Sequence, residues 1–394
     1  MHAETCAVAP RASARPALEL ADILRVYEAD YRATHAVTHE QNRVLRDVLR
    51  CRTPALGGHV EVCAGCGYNS EPAYNSCRNR HCPKCQSSAA YKWIEARTER
   101  VLPTHYFHVV FTLPAELRDL AMRNRRIVFD LIFAGASATL LELGADPKRL
   151  GARLGVTMML HTWARDLAFH PHVHAIVTGG GLALHGEPRW LALHDDFLFP
   201  VEIMRALFRG KFLAALAAAH ARGELDLGQQ PVDPEGFDRL MSQLYDKTWH
   251  VYAKRPFGGP EHVIKYLGRY THRVGIANSR LASMDDRGVT FRTKNGKSVT
   301  LAGTAFLDRF LQHVLPKRFV KIRHYGMLAP AHVREDLDVA RALLAGKAGD
   351  SPKPTTTAQD ATPTRVCPVC GLPGLRRELL PPSARPPQRQ RGPP

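Results

Sequence analysis

Residues 170–182 read HPHVHAIVTGGGL, and the fold turns on how that stretch is laid out. HVHAIVTGGG (172–181) carries β-branched residues and ends in a glycine run, the signature of a strand. Side chains alternate faces along a strand, so His172 and His174 project to one side while Val173 enters the opposite layer. Two imidazoles on one face are two legs of a metal site, and they leave it incomplete. Just upstream, GVTMMLHTW (155–163) reads as a second strand, joined by a loop long enough for an antiparallel pair. In such a pair His161 can lie opposite the H-x-H segment as the third ligand. His170 has the same strand parity but precedes Pro171, and His262 is a further candidate.

Moving outward, HYFHVVFTLP (105–114) is β-branched, aromatic and closed by Pro114: a strand. Helical spacing marks residues 116–143, 208–220 and 237–252. VTFRT and KSVTLAG (289–303) form a hairpin turned at Asn295-Gly296. EHVIKYLGRYTHRV (261–274) reads as a helix, where Tyr266 and Tyr270, four apart, stack their phenols on one face. Val263, Tyr266, Leu267, Tyr270 and Val274 make an apolar stripe that would equally suit a core helix. Lys265, Arg269, His272 and Arg273 make the same helix strongly basic, as expected beside a phosphate backbone.

Upstream, Leu20, Ile23, Leu24 and Tyr27, then Val44, Leu45 and Val48, mark two short helices within 17–49. Residues 51–88 are rich in Cys, Gly, Asn and Arg and lack periodicity, as in a module held by metal. Cys63-x2-Cys66 and Cys82-x2-Cys85 stand fifteen residues apart, and four thiolates in two pairs can close a tetrahedral Zn2+ site. Cys77, His81 and His59 could replace a ligand or build a second site. Arg78, Arg80 and Lys84, with Asn75, Asn79 and Lys92, offer a basic polar surface for phosphates, although a solvated loop would look the same. Cys367 and Cys370 are half a site with no assigned role.

The 394 residues carry a formal net charge of +17, which calls for a polyanionic partner. The apolar run Leu131–Leu141 is too short to span a membrane, and the N-terminus has no apolar signal core. Nine cysteines, an odd number with six in C-x2-C pairs, suit metal ligation in a reducing cytosol better than disulfides. The expectation is a bacterial, cytoplasmic, nucleoid-associated protein with no membrane partner.

The order of parts resembles the two-tyrosine rolling-circle insertion-sequence transposases of the HUH endonuclease superfamily. The matching segments are CRNRHCPKCQ (77–86), HVVFTLP (108–114), LHTW (160–163), HPHVHAIVTGGGL (170–182) and KRPFGGPEHVIKYLGRYTHRVGIANSRL (254–281), with HYGML (324–328) weaker. The resemblance implies an α+β fold: an antiparallel-sheet endonuclease domain flanked by helices, after a small helical zinc-binding module. The corresponding boundaries are a loose 1–16, a DNA-binding zinc domain at 17–104, a catalytic domain at 105–330, and a helix, linker and disordered tail at 331–394.

On the same resemblance, His172 and His174 match the metal ligands and Tyr266 and Tyr270 the nucleophiles. Mg2+ or Mn2+ would be the catalytic ion, Zn2+ the structural one, and single-stranded or extruded element ends the partner. No general base is assigned, though His262 or a water would serve. A rolling-circle replication initiator or relaxase would use the same chemistry. A zinc-dependent DNA-binding regulator would leave both tyrosines in a core.

Overall fold

The structure is a computed structural model that describes residues 18–86, 98–228, 235–254, 262–263, 275–293, 296–345 and 366–383. The chain opens with α1 (Leu20–Thr34) and α2 (His39–Arg50). Each starts with a capping box, Glu19 with Asp22 and Thr38 with Gln41, which satisfies amides that a helix start leaves open. Next come β1 (Gly58–Cys63), β2 (Ala73–Tyr74), β3 (Tyr106–Thr112), α3 (Arg118–Arg123) and α4 (Arg125–Ala145). Strands β4 (Ala152–Trp163), β5 (Phe169–Ala183) and β6 (Trp190–Ala192) precede α5 (Val201–Ala221), α6 (Gly236–Asp246) and β7 (His250–Lys254). The described remainder holds β8 (Leu281–Asp285), β9 (Gly288–Arg292), β10 (Ser298–Leu301), α7 (Gly303–Leu311), β11 (Ile322–Gly326), α8 (Val333–Ala345) and β12 (Leu375–Leu380).

The expected mixture of helices and antiparallel sheet is what the chain forms. The main sheet runs β11-β4-β5-β3-β7, with β6 added along β5. Every neighbouring pair in it is antiparallel. Alternation then assigns the faces. Val173, Ala175 and Val177 of β5 share a core with Val156, Met158 and Leu160 of β4, Val109 and Phe111 of β3, and Phe129, Ile132, Phe133, Phe208 and Phe212 of α4 and α5. The even-numbered residues of β5 face away from those helices. Helix α4 has the length and apolarity of a membrane span, yet 61% of that stretch is buried inside the protein, which fits a core helix.

A second core joins α1 and α2 to β8, β9 and α7 through Ile23, Leu24, Val44, Leu45, Ile276, Leu281, Phe291, Phe306 and Phe310. Thus the N-terminal helices pack against elements some 250 residues later. The hairpin β9–β10 pairs Arg292 with Ser298, and Gly296 at its turn has φ +74°; Asn295 lies outside the described residues.

Several local expectations change. The single helix over 116–143 is broken at Asn124, whose side-chain amide donates to the carbonyls of Leu120 and Asp226. The helix expected over 237–252 ends at Asp246, and its last residues form β7. Tertiary packing decides this: Trp249 and Val251 are buried in the main core while His250 and Tyr252 point outward, a period of two. The tail is more structured than expected, because β12 pairs along the whole of β1. Residues 1–17, Lys92, the linker at 346–365, the last residues 384–394 and most of the tyrosine segment lie outside the described residues.

Candidate active site and metal centres

The β4–β5 register sets His161 directly opposite His172. His174, two residues on, shares their face, which turns away from α4 and α5. One ring nitrogen from each of His161, His172 and His174 lies within 4.8 Å of the others. Ring centroids are 4.4 Å apart for His161–His174, 4.9 Å for His172–His174 and 5.5 Å for His161–His172. Burial holds His172 down to about 4 and His174 well below the usual imidazole range, with neighbouring histidines adding to the effect on His174. Both rings are therefore neutral at pH 7, the form that carries a ligating lone pair.

The tautomer of His172 follows from its partner. Its Nδ1 lies 2.7 Å from the carbonyl of His170, and a carbonyl can only accept, so Nδ1 donates and Nε2 keeps the lone pair. His174 Nδ1 lies 2.8 Å from Nε2 of His108, a buried β3 residue whose ring stacks on it. His161 stacks on Trp163 at 4.5 Å. Three imidazoles converging in this way fit a divalent cation. His170 lines the same cleft without joining the three, and His262 is exposed and stands outside them.

The cluster forms the floor of an open cleft of about 730 Å³. Its rim carries Arg165, Arg280 and Arg292, and no carboxylate occurs among the described lining residues. Arg280 is fixed by donating to the carbonyls of Arg292 and Arg165. This arginine rim suits a phosphodiester. It escaped the sequence reading because its residues come from three separate segments that only the fold joins.

Tyr266 and Tyr270, with Lys265, Arg269 and Arg273, lie outside the described residues. Val263, three residues before Tyr266, is described. It is 1% exposed and packs with Tyr106, Met159 and Ile176. Met159 pairs with His174, and Ile176 follows His174 at the same parity, so Val263 sits on the histidine face of the sheet.

The cysteines correct one expectation. Cys63, Cys66, Cys82 and Cys85 do not gather at one point. Cys82 and Cys85 meet Cys51 and Cys77, whereas Cys63 and Cys66 meet Cys367 and Cys370. The reason is packing. Cys51 ends α2, and Cys51, Cys82 and Cys85 are buried in the second core, while Cys63 ends β1 beside β12. Each group offers four thiols with spacings near 3.5–3.7 Å, a donor set that fits structural zinc. Sequence spacing missed Cys51 because it stands alone at the end of a helix. His81, weighed as a substitute ligand, instead accepts from the Leu315 amide and faces the Asn79 side chain.

The basic residues of this region separate too. Arg78 and Arg80 line a second cleft of about 490 Å³ with Arg43, Lys317 and Arg318. Lys84 is not there: its ammonium is 2.8 Å from Glu19, in a largely buried pair.

Residues 155–336 match a family model described as "Putative transposase", and residues 23–113 match one described as "Transposase zinc-binding domain". The "Putative transposase y4qJ" of Sinorhizobium fredii is 41% identical over 376 residues, covering 91% of this chain and 94% of that protein. The "Transposase for insertion sequence element IS801" of Pseudomonas savastanoi pv. phaseolicola is 32% identical over 324 residues, covering 78% of this chain and 75% of that protein. No solved structure matches.

Proposed function

From the premise that this chain belongs to the two-tyrosine HUH transposase family of these insertion-sequence relatives, we propose that it nicks and rejoins single-stranded DNA at element ends through Tyr266 and Tyr270. One observation carries the reading: His161, His172 and His174 converge beneath an arginine rim, on the same sheet face that receives Val263. Tyr266 follows Val263 by three residues in the sequence.

On this reading the three imidazoles hold Mg2+ or Mn2+, which when bound supplies charge stabilisation at the scissile phosphate. Arg165, Arg280 and Arg292 hold the strand and neutralise its backbone. A phenol oxygen of Tyr266 or Tyr270 attacks phosphorus in line and gives its proton to solvent. The bond from phosphorus to the 3′ oxygen breaks and that oxygen takes up a proton, leaving a 5′-phosphotyrosine and a free 3′-OH. The reverse attack by a 3′-OH rejoins strands without ATP, because the phosphodiester energy is kept in the ester to tyrosine. Two phenols let one hold the first end while the other makes the second cut. The substrate on this reading is single-stranded or extruded DNA at the element ends. The working place is the bacterial cytoplasm, where the element's DNA lies.

The test uses labelled single-stranded DNA from element ends, Mn2+ and a denaturing gel. A covalent protein–DNA adduct is expected from the native chain. Tyr266→Phe and Tyr270→Phe should each impair cleavage or strand transfer, and the double variant should form no adduct. An adduct that survives both changes removes these phenols from the chemistry.

A further inference from the structure

The C-terminal Cys367 and Cys370 fall outside the residues matched to a zinc-binding domain, which end at 113. The backbone around them nevertheless repeats, bond for bond, the backbone around Cys63 and Cys66. The Cys63 amide donates to the Tyr68 carbonyl at 2.8 Å, and the Gly67 amide donates back to the Cys63 carbonyl at 3.0 Å. The Cys367 amide likewise donates to Leu372 at 2.9 Å, and the Gly371 amide to Cys367 at 2.9 Å. Gly67 and Gly371 have φ +72° and +71°, the left-handed conformation that a glycine adopts without strain. The flanking bridges correspond as well, Val62 to Asn69 and Val366 to Pro373. The Val369 amide points at the Cys367 sulfur at 3.4 Å. Residues 62–69 and 366–373 are thus two copies of one metal-binding knuckle, facing each other.

The sulfurs agree with that shape. Cys63–Cys370 and Cys66–Cys367 are 3.7 and 3.6 Å apart. A tetrahedron with Zn–S bonds of about 2.3 Å has edges of about 3.8 Å, whereas a disulfide needs about 2.0 Å. Behind the knuckles, β12 pairs with β1 from Gly58↔Leu380 to Cys63↔Leu375, and the Ser383 amide donates to Pro54.

We propose that Cys63, Cys66, Cys367 and Cys370 bind a second Zn2+ that clasps the C-terminal segment onto β1, separate from the zinc held by Cys51, Cys77, Cys82 and Cys85. The two centres differ in access. Cys51 and Cys82 are 0% exposed inside the second core, whereas Cys66 and Cys370 are exposed. The clasp is therefore the labile centre: a chelator reaches it first and frees residues 366–383 while the core centre stays loaded.

The full-length chain should carry two zinc ions by elemental analysis, and a chelator with a colorimetric zinc indicator should release one fast and one slowly. Cys367→Ser with Cys370→Ser should carry one, lose the fast phase, and be cut by protease beyond residue 345 far sooner than the native chain. Cys370→His, which keeps four zinc-binding side chains, should return the second zinc and the protection. If the double variant itself misfolds, the two release phases of the native chain still decide. A single zinc per native chain, or two in the double serine variant, overturns the clasp. None of these readouts depends on DNA cleavage, so they stand apart from the nicking assay.

Discussion

A histidine that holds a cation through Nε2 must place its Nδ1 proton somewhere, and the acceptor fixes the ring. His172 uses the carbonyl of His170. His174 faces another imidazole, Nε2 of His108, at 2.8 Å. Burial pushes His108 down to about 4, so it stays neutral and can accept the proton of His174. On the proposed reading, in which His174 holds the cation, His108 is a positioning residue acting through His174. Replacing it by Phe removes the acceptor with little change in volume. Outer partners of metal-bound histidines contribute roughly 10- to 100-fold to affinity. A Mn2+ titration followed by electron paramagnetic resonance, without DNA, should show that loss for His108→Phe, with partial recovery for His108→Gln. Equal affinity in all three proteins would reduce His108 to a core residue. In the sequence HVVFTLP is legible only as a strand and a family match; nothing in its spacing marks His108 as a neighbour of His174.

At the scale of elements, the site depends on the β4–β5 register, and the turn between those strands is held from outside. Leu167 in that turn has φ +66°, a backbone that leucine adopts only under constraint. His313, just beyond α7, points Nε2 at the Leu167 carbonyl at 3.0 Å and Nδ1 at the Thr162 hydroxyl at 3.2 Å. Arg309 donates to the Asp166 carbonyl. Burial holds His313 at about 4, below its ordinary 6.5. Between those values the unfolded chain binds a proton that the folded one refuses. The contribution is thus complete above about pH 6.5 and lost as pH falls through about 4. Urea unfolding at pH 7 and pH 4.5 should show a drop smaller by about 2 to 3 kcal/mol for His313→Gln than for the native chain. Equal drops would mean that His313 does not govern acid lability. Strand β5 was legible because its histidines alternate with buried residues, whereas β4 is buried on both faces from Leu154 to Thr162 and shows only as an uninterrupted run. Strand β7 was not, since its five residues follow a helical pattern and only burial of Trp249 against α5 turns them into strand. The glycine triplet after β5's histidines has a packing cause: a Cβ on Gly181 would lie 2.4 Å from the Arg153 carbonyl oxygen, and one on Gly180 2.5 Å from that of Leu191.

For the whole molecule, a net charge of +17 announces a polyanion without saying where it binds. Pairs of cysteines were equally visible along the chain while their grouping was not, because the partners of Cys63 and Cys66 lie some 300 residues away. The fold concentrates arginine at the mouth of the histidine cleft, and Arg165 and Arg292 there are exposed. If the strand crosses that rim, each arginine displaces a counterion, and the salt dependence of binding counts them. For single-stranded DNA the logarithmic slope changes by about 0.7 per phosphate contact. Affinity of the native chain for a short single strand, measured by fluorescence anisotropy across a salt series, should therefore fall steeply. Arg165→Ala with Arg292→Ala should flatten the slope by about 1.4. Arg222→Ala serves as the control, since it removes one positive charge that already pairs with Glu224 at 2.7 Å on the end of α5. A general electrostatic attraction would flatten both slopes in proportion to charge removed. A strand lodged over the histidines flattens only the first, and an unchanged slope in the double variant would move the DNA away from this cleft altogether.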